Sequence, residues 1–136
     1  MKIQQYGHGE KDFWQVMGPQ FASAKVQREL GVPMTSDEAT TWFVATDGET
    51  VAGFAAVRLT KSGVAELKHA YVFEPYRQQG IYAQLLNARL QFARQAGATS
   101  CRAIVAPAIQ RHYADAGFTE TRRQGRYVHF EMRLGA

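Results

Sequence analysis

The stretch EPYRQQGIYAQLL, residues 74–86, joins two segments of different character. It follows the strand-like run AELKHAYVF (65–73) and opens the helix-like run YAQLLNARLQFARQAG (82–97). The first amides of a helix have no partner inside it, and together with the aligned peptide dipoles they form an anion site. Gly80 lets the backbone approach a phosphate closely, and Arg77 adds positive charge. This turn therefore predicts a site for a phosphate-bearing ligand, with a plain helix start and a solubilising arginine as the alternative.

The rest of the chain predicts a mixed α/β arrangement. MKIQQY is typical of a short first strand, and a helix is expected over residues 10–30 with a break at Gly18-Pro19, because proline inside a helix removes a donor. The sequence TDGE between two apolar runs predicts a hairpin. The further expected elements are a strand at 64–73, a helix at 79–96 that stops at Gly97, a strand at 99–106, a short helix at 107–117 and a final hairpin over 118–134.

Length and composition fit one domain of ordinary globular character. The 136 residues are enough to bury a core, and the chain is 46% apolar and 21% charged. The single cysteine, Cys101, excludes an internal disulfide, and the four histidines lack the short spacing of a metal site, so no metal is expected. No apolar run approaches the roughly 20 residues that span a bilayer, and the N-terminus lacks the apolar middle of a secretory signal. A cytoplasmic protein without a membrane partner is therefore expected.

The segment YVFEPYRQQGIYAQLL (71–86) resembles the acyl-CoA-binding motif of the GNAT superfamily of N-acetyltransferases. That motif is a strand ending in valine, a turn that contains proline, the pattern [Q/R]-x-x-G-x-[G/A] and a helix. Val72 and Pro75 stand at the matching positions, and residues 77–82 span the pattern. One departure is Tyr82, a bulky residue where the family has glycine or alanine.

A second segment strengthens the resemblance. RHYADAGF (111–118) is similar to the Tyr-x-x-x-Gly-Phe segment of the family, although Ala106 stands where the family often has asparagine. The resemblance extends over roughly residues 41–134. It implies an α/β (α+β) fold with a GNAT-like mixed, mostly antiparallel twisted sheet of six or seven strands flanked by about four helices. Residues 1–136 would then form a single acyltransferase domain.

The resemblance also implies acetyl-CoA as co-substrate and a set of residues that hold it. In the family, the strand at 65–73 is splayed from its neighbour, which frees backbone amides for the thioester carbonyl. The main-chain oxyanion donor is therefore expected near Tyr71 or Val72. The residues implied to bind the cofactor are Tyr71, Val72, Phe73, Arg77, Gln78, Gln79, Gly80, Ile81 and Tyr82.

Three residues are candidates for the chemistry of acyl transfer. Tyr113 matches the family tyrosine that protonates the leaving sulfur, with a core aromatic as the alternative. Glu66 matches a position where the family often carries a glutamate and would act as a base through water; its alternative is a surface partner of Lys68. His69 is the competing base, since its ordinary pKa is close to neutrality, and could equally be a core histidine. Side chains alternate between the two faces of a strand, so Glu66, Lys68 and Ala70 are expected on one face. Leu67, His69 and Tyr71 are expected on the other.

Three functions are compatible with these patterns. The first is transfer of an acetyl group from acetyl-CoA to a primary amine by direct attack in a ternary complex. The second is a catalytically weak acyl-CoA-binding module, which Tyr82 and Ala106 favour. The third is action on nucleic acid or a nucleic-acid-linked amine, suggested by the net charge of +4 and by three arginines at 122–126, although no nucleic-acid motif is present. The acceptor, a small molecule or a peptide, would lie between the N-terminal helices and the final hairpin; a monomer and a homodimer fit equally.

Overall fold

The sheet and its helices are seen in the computed structural model, which describes residues 1–135. The strands are β1 (Lys2–Gly7), β2 (Thr40–Asp47), β3 (Thr50–Leu59), β4 (Val64–Val72), β5 (Ser100–Val105), β6 (Thr119–Gln124) and β7 (Tyr127–Arg133). They form one sheet in the order β1-β2-β3-β4-β5-β7-β6, and only the β4–β5 pair of this sheet is parallel among the described residues. The α-helices are α1 (Phe13–Phe21), α2 (Ala24–Leu30), α3 (Ile81–Gln95) and α4 (Gln110–Asp115), with 3-10 turns at Glu74–Tyr76 and Pro107–Ile109. The mixed, mostly antiparallel sheet and the number of helices confirm the expected fold class.

The N-terminal helical region breaks later than the sequence predicted. α1 continues through Gly18 and Pro19 to Phe21, so the expected break at Gly18-Pro19 is wrong. Pro19 lies on the exposed side of α1, and the carbonyl that loses its donor belongs to the exposed Gln15, where water can satisfy it. The break falls instead at Ser23, whose hydroxyl accepts a hydrogen bond from the Val26 amide at 3.2 Å and caps α2.

Two apolar clusters cover the two faces of the sheet. One lies under α3 and α4 and includes Leu67 and Leu85, and the other lies under α1 and α2 and includes Trp42 and Tyr71. Each cluster buries the apolar stripe of its helices against the sheet, which is the main source of stability for such a layered arrangement. No helix within residues 1–135 is long and apolar enough to cross a membrane.

The two central strands separate half-way along their length. β4 and β5 pair only from Val64 opposite Ser100 to Leu67 opposite Ala103. Beyond that point β4 stays paired with β3 as far as Val72, while β5 stays paired with β7. The parallel pair therefore opens into a cleft next to the turn that leads into α3.

A β-bulge interrupts β4 at the same level. The register with β3 passes from Lys68 opposite Ala56 to Tyr71 opposite Phe54, so β4 contains one extra residue. His69, inside this irregularity, has φ 56° and occupies the left-handed region. The bulge thus lies just beyond the point where β4 and β5 stop pairing, and bulges are common beside functional clefts.

The bulge makes the predicted alternation wrong for two residues. Leu67 packs in the α3–α4 cluster, whereas Tyr71 packs in the α1–α2 cluster. The His69 ring stacks on Trp42 of the α1–α2 cluster, with centroids 5.7 Å apart and an angle of 7°. One inserted residue reverses the direction of the side chains that follow it, so His69 and Tyr71 do not share a face with Leu67.

Candidate active site

A cleft of about 1710 Å³ opens where β4 and β5 separate. Its border is formed by the β4–α3 turn, α4, the C-terminal end of α2 and β7. The three catalytic candidates from the sequence, Tyr113, Glu66 and His69, all line this cleft. Residues from distant parts of the chain are thus brought to one concave site, which is the usual setting for ligand binding.

Most of the predicted cofactor-binding residues line the same cleft, namely Tyr71, Val72, Arg77, Gln78, Gly80, Ile81 and Tyr82. Two others point elsewhere. Phe73 packs against the α1–α2 cluster, and the Gln79 amide group donates to the Pro75 carbonyl at 3.2 Å. The side chain of Gln79 therefore shapes the turn from outside the cleft.

The turn before α3 presents free backbone amides. The first backbone hydrogen bond of the helix joins the Gln84 amide to the Gly80 carbonyl at 3.1 Å, and within the described chain the amides of residues 80–83 donate to no protein group. Gly80 has φ 82° and Gln78 has φ 63°, so the turn contains two left-handed residues. A Cβ at Gly80 would meet no atom within 4 Å, which shows that glycine is needed for its conformation. Free amides at a helix N-terminus suit a phosphate.

Arg77 is partly exposed, but its guanidinium is held by two protein groups. Its Nε donates to the Val72 carbonyl at 2.8 Å, and its Nη2 lies 3.3 Å from Oε2 of Glu29 on α2. The Tyr71 hydroxyl donates to the same carboxylate and holds the pKa of Glu29 below its usual value. Burial, and then the bond to Glu29, raise the pKa of Tyr71 to about 12. These three side chains tie the turn to β4 and to α2.

Tyr82, the departure from the family pattern, lies inside the cleft. Its ring stacks on His112 of α4, with centroids 5.6 Å apart and an angle of 26°. Burial raises the pKa of the Tyr82 hydroxyl, while a hydrogen bond from the Val72 backbone and the charge of Arg77 act in the opposite direction. The phenol therefore lies beside the end of β4, where the sequence predicted an oxyanion donor.

Tyr113 projects from α4 and is only 4% exposed. Its ring stacks on Phe130 at 6.0 Å and meets the edge of Phe118 at 5.3 Å, so its direction is fixed from two sides. Its hydroxyl accepts a hydrogen bond from Nη2 of Arg89 at 3.2 Å. The tyrosine is thus held at the wall of the cleft with its oxygen already bound on one side.

Comparison with known families agrees with this geometry. A model of the acetyltransferase (GNAT) family matches residues 7–118, which is most of the chain. The chain belongs to the acetyltransferase (GNAT) family. A search of curated proteins finds no significant match.

Solved GNAT structures share the fold of this chain at low sequence identity. A GNAT-family acetyltransferase from Staphylococcus aureus is 12% identical with a TM-score of 0.73, and the match covers 98% of this chain and 100% of that one. The GNAT domain of PAT from S. lividans is 18% identical with a TM-score of 0.75, covering 97% and 89% of the two chains. PaiA N-acetyltransferase from Thermoplasma acidophilum, solved in complex with coenzyme A, is 16% identical with a TM-score of 0.67, covering 98% and 100%.

Glu66 of this GNAT protein belongs to a row of charges across the sheet. The residues in direct register across β3, β4, β5 and β7 are Arg58, Glu66, Arg102 and Glu131. The Glu66 carboxylate lies 2.5 Å from Arg102 and 3.3 Å from Arg58. The bond from Arg102 is the largest cause that lowers the pKa of Glu66, so the carboxylate is ionised at neutral pH. Its two ion pairs weaken it as a proton acceptor.

His69 has one ring nitrogen occupied and the other buried. Its Nε2 accepts a hydrogen bond from the Thr35 amide at 3.2 Å, which assigns the proton of the neutral ring to Nδ1. Nδ1 has no hydrogen-bond partner in residues 1–135. Burial, followed by the charge of Lys68, lowers the pKa of His69 to about 4. The ring is therefore neutral at pH 7, and its lone pair is directed at Thr35.

The N-terminal helices and the final hairpin meet across the mouth of the GNAT cleft. A Cβ added at Gly31, the residue after α2, would lie 3.0 Å from the Tyr127 hydroxyl of β7. Val32, Pro33 and His129 line the cleft nearby. Both segments that the sequence assigned to the acceptor pocket therefore border the site.

Two residues of the site escaped the sequence reasoning. Glu29 holds Tyr71 and Arg77 together, yet a glutamate near the end of a helix gives no local signal for this role. Arg89 is 1% exposed, and a signal for it exists, because it occupies the apolar face of α3 four residues after the buried Leu85. Within residues 1–135, no group of three or more His, Cys, Asp or Glu residues could hold a metal ion.

Proposed function

We propose that residues 1–136 form a single acyltransferase domain that transfers an acetyl group from acetyl-CoA to a primary amine by direct attack in a ternary complex. One observation carries this proposal: β4 and β5 separate beyond Leu67 immediately beside the free amides of residues 80–83. The free amides are thus adjacent to a cleft in which β4 is no longer paired with β5. Membership of the GNAT family supports the same reaction class.

The residues around the α3 N-terminus fit a diphosphate. The amides of residues 80–83 and the helix dipole supply donors and positive potential without a metal ion. Arg77 contributes mainly by holding the turn in shape, because its guanidinium already binds Val72 and Glu29. Acetyl-CoA supplies the thioester as co-substrate, and the edge of β4 that β5 no longer covers, near Tyr71 and Val72, would hold its carbonyl.

The proposed chemistry assigns one task to each group at the cleft. A main-chain amide near Tyr71 or Val72 stabilises the oxyanion when the amine nitrogen bonds to the thioester carbon. For the Val72 amide, the thioester oxygen would replace the Tyr82 hydroxyl as the acceptor. The Tyr113 hydroxyl gives its proton to the sulfur as the carbon–sulfur bond breaks. Glu66 takes the proton of the attacking amine through water, although its ion pairs with Arg102 and Arg58 lower its pKa. His69, the competing base, has a lowered pKa as well, and its Nε2 already accepts from the Thr35 amide.

Tyr113→Phe tests this assignment. We expect acetyl-CoA to raise the melting temperature of the wild-type protein and of the variant alike, because the diphosphate contacts are unchanged. Release of free thiol from acetyl-CoA, screened over diverse amines, should fall about 100-fold in kcat with little change in KM, as for loss of a general acid. Absence of any thermal shift with acetyl-CoA at millimolar concentration would overturn the proposed function.

A second candidate, an acyl-CoA-binding module with weak catalysis, is favoured by one observation. The Tyr82 ring lies beside Val72 and on His112, in the part of the cleft where the family pattern has a small residue. If the ring excludes the thioester, the wild-type protein should bind CoA but release no thiol with any amine. Measurable turnover in the same screen rules this candidate out.

A further inference from the structure

A buried arginine lies directly behind the proposed proton donor. The Arg89 guanidinium reaches three oxygens that belong to three elements of the fold. Nε donates to the Leu85 carbonyl at 3.2 Å, Nη1 to the Ala56 carbonyl at 3.4 Å and Nη2 to the Tyr113 hydroxyl at 3.2 Å. Ala56 is paired with Lys68 at the edge of the β4 bulge, so the guanidinium lies at the level of the bulge and behind Tyr113, which lines the cleft.

The charge of Arg89 is not explained by packing. The side chain is 1% exposed, and no carboxylate within residues 1–135 lies at salt-bridge distance from it. Removing a guanidinium from water without an anionic partner is unfavourable, and apolar side chains of similar volume usually stabilise such a position as well or better. Its neighbours on the same face of α3, Leu85 and Ala93, are apolar. The contact with Tyr113 is the feature that distinguishes this position.

The direction of the Arg89–Tyr113 hydrogen bond is fixed by chemistry. A guanidinium has only donors, so the tyrosine oxygen must accept. The phenolic hydrogen is then free to be donated to a different group. Because Phe118 and Phe130 fix the ring, that hydrogen can serve a partner in the cleft that Tyr113 lines.

We propose that Arg89 is a positioning residue for acyl transfer, acting through Tyr113. It orients the tyrosine hydroxyl as a donor toward the leaving sulfur, and its charge stabilises the phenolate left behind. When the carbon–sulfur bond breaks, sulfur takes the electron pair of that bond and the proton of Tyr113; the phenolate then regains a proton from water. Arg89 itself exchanges no proton, since arginine stays charged. This inference rests on the proposed function.

A double-mutant cycle tests the inference. The variants are Arg89→Met, which removes the charge at similar length, Arg89→Lys, which keeps it, and each of them combined with Tyr113→Phe. The assay is thiol release from acetyl-CoA with hydroxylamine, a nucleophile small enough for any acceptor pocket, after subtraction of the rate without protein, because hydroxylamine cleaves thioesters unaided. We expect Arg89→Met to lower kcat about 10- to 100-fold at nearly constant KM for acetyl-CoA, and Arg89→Lys to lower kcat less. In the Tyr113→Phe background, neither substitution should lower kcat any further.

A second measurement does not depend on turnover. The ultraviolet absorption of the CoA thiolate, followed against pH for CoA bound to each variant, reports how well the site stabilises the anion. A hydroxyl oriented by Arg89 should favour the thiolate, so Arg89→Met should require a higher pH to form it, and Tyr113→Phe should do the same. Calorimetric melting of each variant separates these effects from loss of folding, and Arg89→Lys replaces Arg89→Met if the latter does not fold.

The outcomes are separable. The inference is overturned if Arg89→Met lowers kcat by the same factor in the wild-type protein and in the Tyr113→Phe variant. It is also overturned if Arg89→Met lowers only the melting temperature and leaves kcat and the thiolate titration unchanged. Such results would leave the proposed function intact. A wild-type protein that releases thiol no faster than the protein-free control, with hydroxylamine or with any amine, would instead overturn the proposed function, and the inference with it.

Discussion

Gly80 and Gly97 stand at the two ends of α3 with almost the same backbone angle, φ 82° and 83°. A Cβ added at either position would meet no atom within 4 Å. The two glycines are therefore needed for the same conformational reason, while only Gly80 borders the cleft. They form a matched pair in which a structural effect can be separated from a functional one.

Gly80→Ala and Gly97→Ala should each lower the free energy of unfolding by about 1 kcal/mol, because alanine is strained in the left-handed region. Only Gly80→Ala should also weaken CoA binding, since relief of that strain moves the amides of residues 80–83. Urea unfolding gives the first quantity and isothermal titration calorimetry with CoA the second. Equal CoA affinity in the two variants would show that these amides do not hold the cofactor.

At the scale of elements, the Tyr71–Glu29–Arg77 cluster connects α2 and β4 to the turn before α3. Arg77 binds the Val72 carbonyl through Nε and the Glu29 carboxylate through Nη2, a fixed two-nitrogen geometry that the single nitrogen of lysine does not reproduce. The cluster thus couples the two sides of the cleft that we propose for the acceptor and for the cofactor. The position of α2 and the shape of the turn depend on the same contacts.

Arg77→Lys and Glu29→Gln should therefore weaken CoA binding to a similar degree, roughly three- to tenfold, because both remove the same tie. Comparison of these two variants distinguishes an arginine that only holds the turn in place from one that binds phosphate directly. If Arg77 contacts the diphosphate directly, Glu29→Gln should leave the affinity unchanged or raise it while Arg77→Lys lowers it. Calorimetric titration with CoA measures both, and the double variant should show no additive loss if the tie is shared.

The elements themselves were largely predictable, since local signals mark their ends. Gly97 ends α3 as expected, and the TDGE hairpin forms between β2 and β3. The β4 bulge was not predictable, because its left-handed residue is His69 and no glycine marks it. The break before α2 was missed for a related reason: an exposed proline in a helix leaves a carbonyl that water can satisfy, so the Ser23 cap decides the boundary.

At the scale of the whole molecule, the cleft depends on pairings between residues far apart in sequence. The motif around Gly80 predicts where a phosphate site lies, but the burial of Arg89 beneath Tyr113 arises only when α3, β3 and α4 pack together. The role of Glu66 changes in the same way, from a lone strand glutamate to one member of a row of charges. Site residues that act through tertiary contacts are the part that sequence patterns leave open.

The ion pairs within the row of charges join β3, β4 and β5 and continue from Arg58 to Asp37. The Arg58 Nε lies 2.8 Å from Oδ2 of Asp37, and this bond is the first cause that lowers the pKa of Asp37 to about 2. The pKa of Glu66 is lowered by Arg102 and Arg58 as well. A carboxyl whose pKa is lower in the folded state stabilises the fold above its unfolded pKa, and that contribution disappears as the pH falls through the folded value.

The free energy of unfolding should accordingly decrease as the pH falls from about 5 to about 2, with Asp37 contributing between its ordinary pKa of 3.8 and its folded value of about 2. Asp37→Asn should be less stable than the wild-type protein near neutral pH, and the two unfolding curves should converge toward pH 2, because the protonated wild-type carboxyl no longer holds Arg58. Urea unfolding at a series of pH values measures both curves. Curves that stay parallel over this range would mean that the ion pair with Arg58 does not lower the pKa of Asp37 in the folded state. The row of charges would then contribute nothing to the stability of the sheet below the cleft.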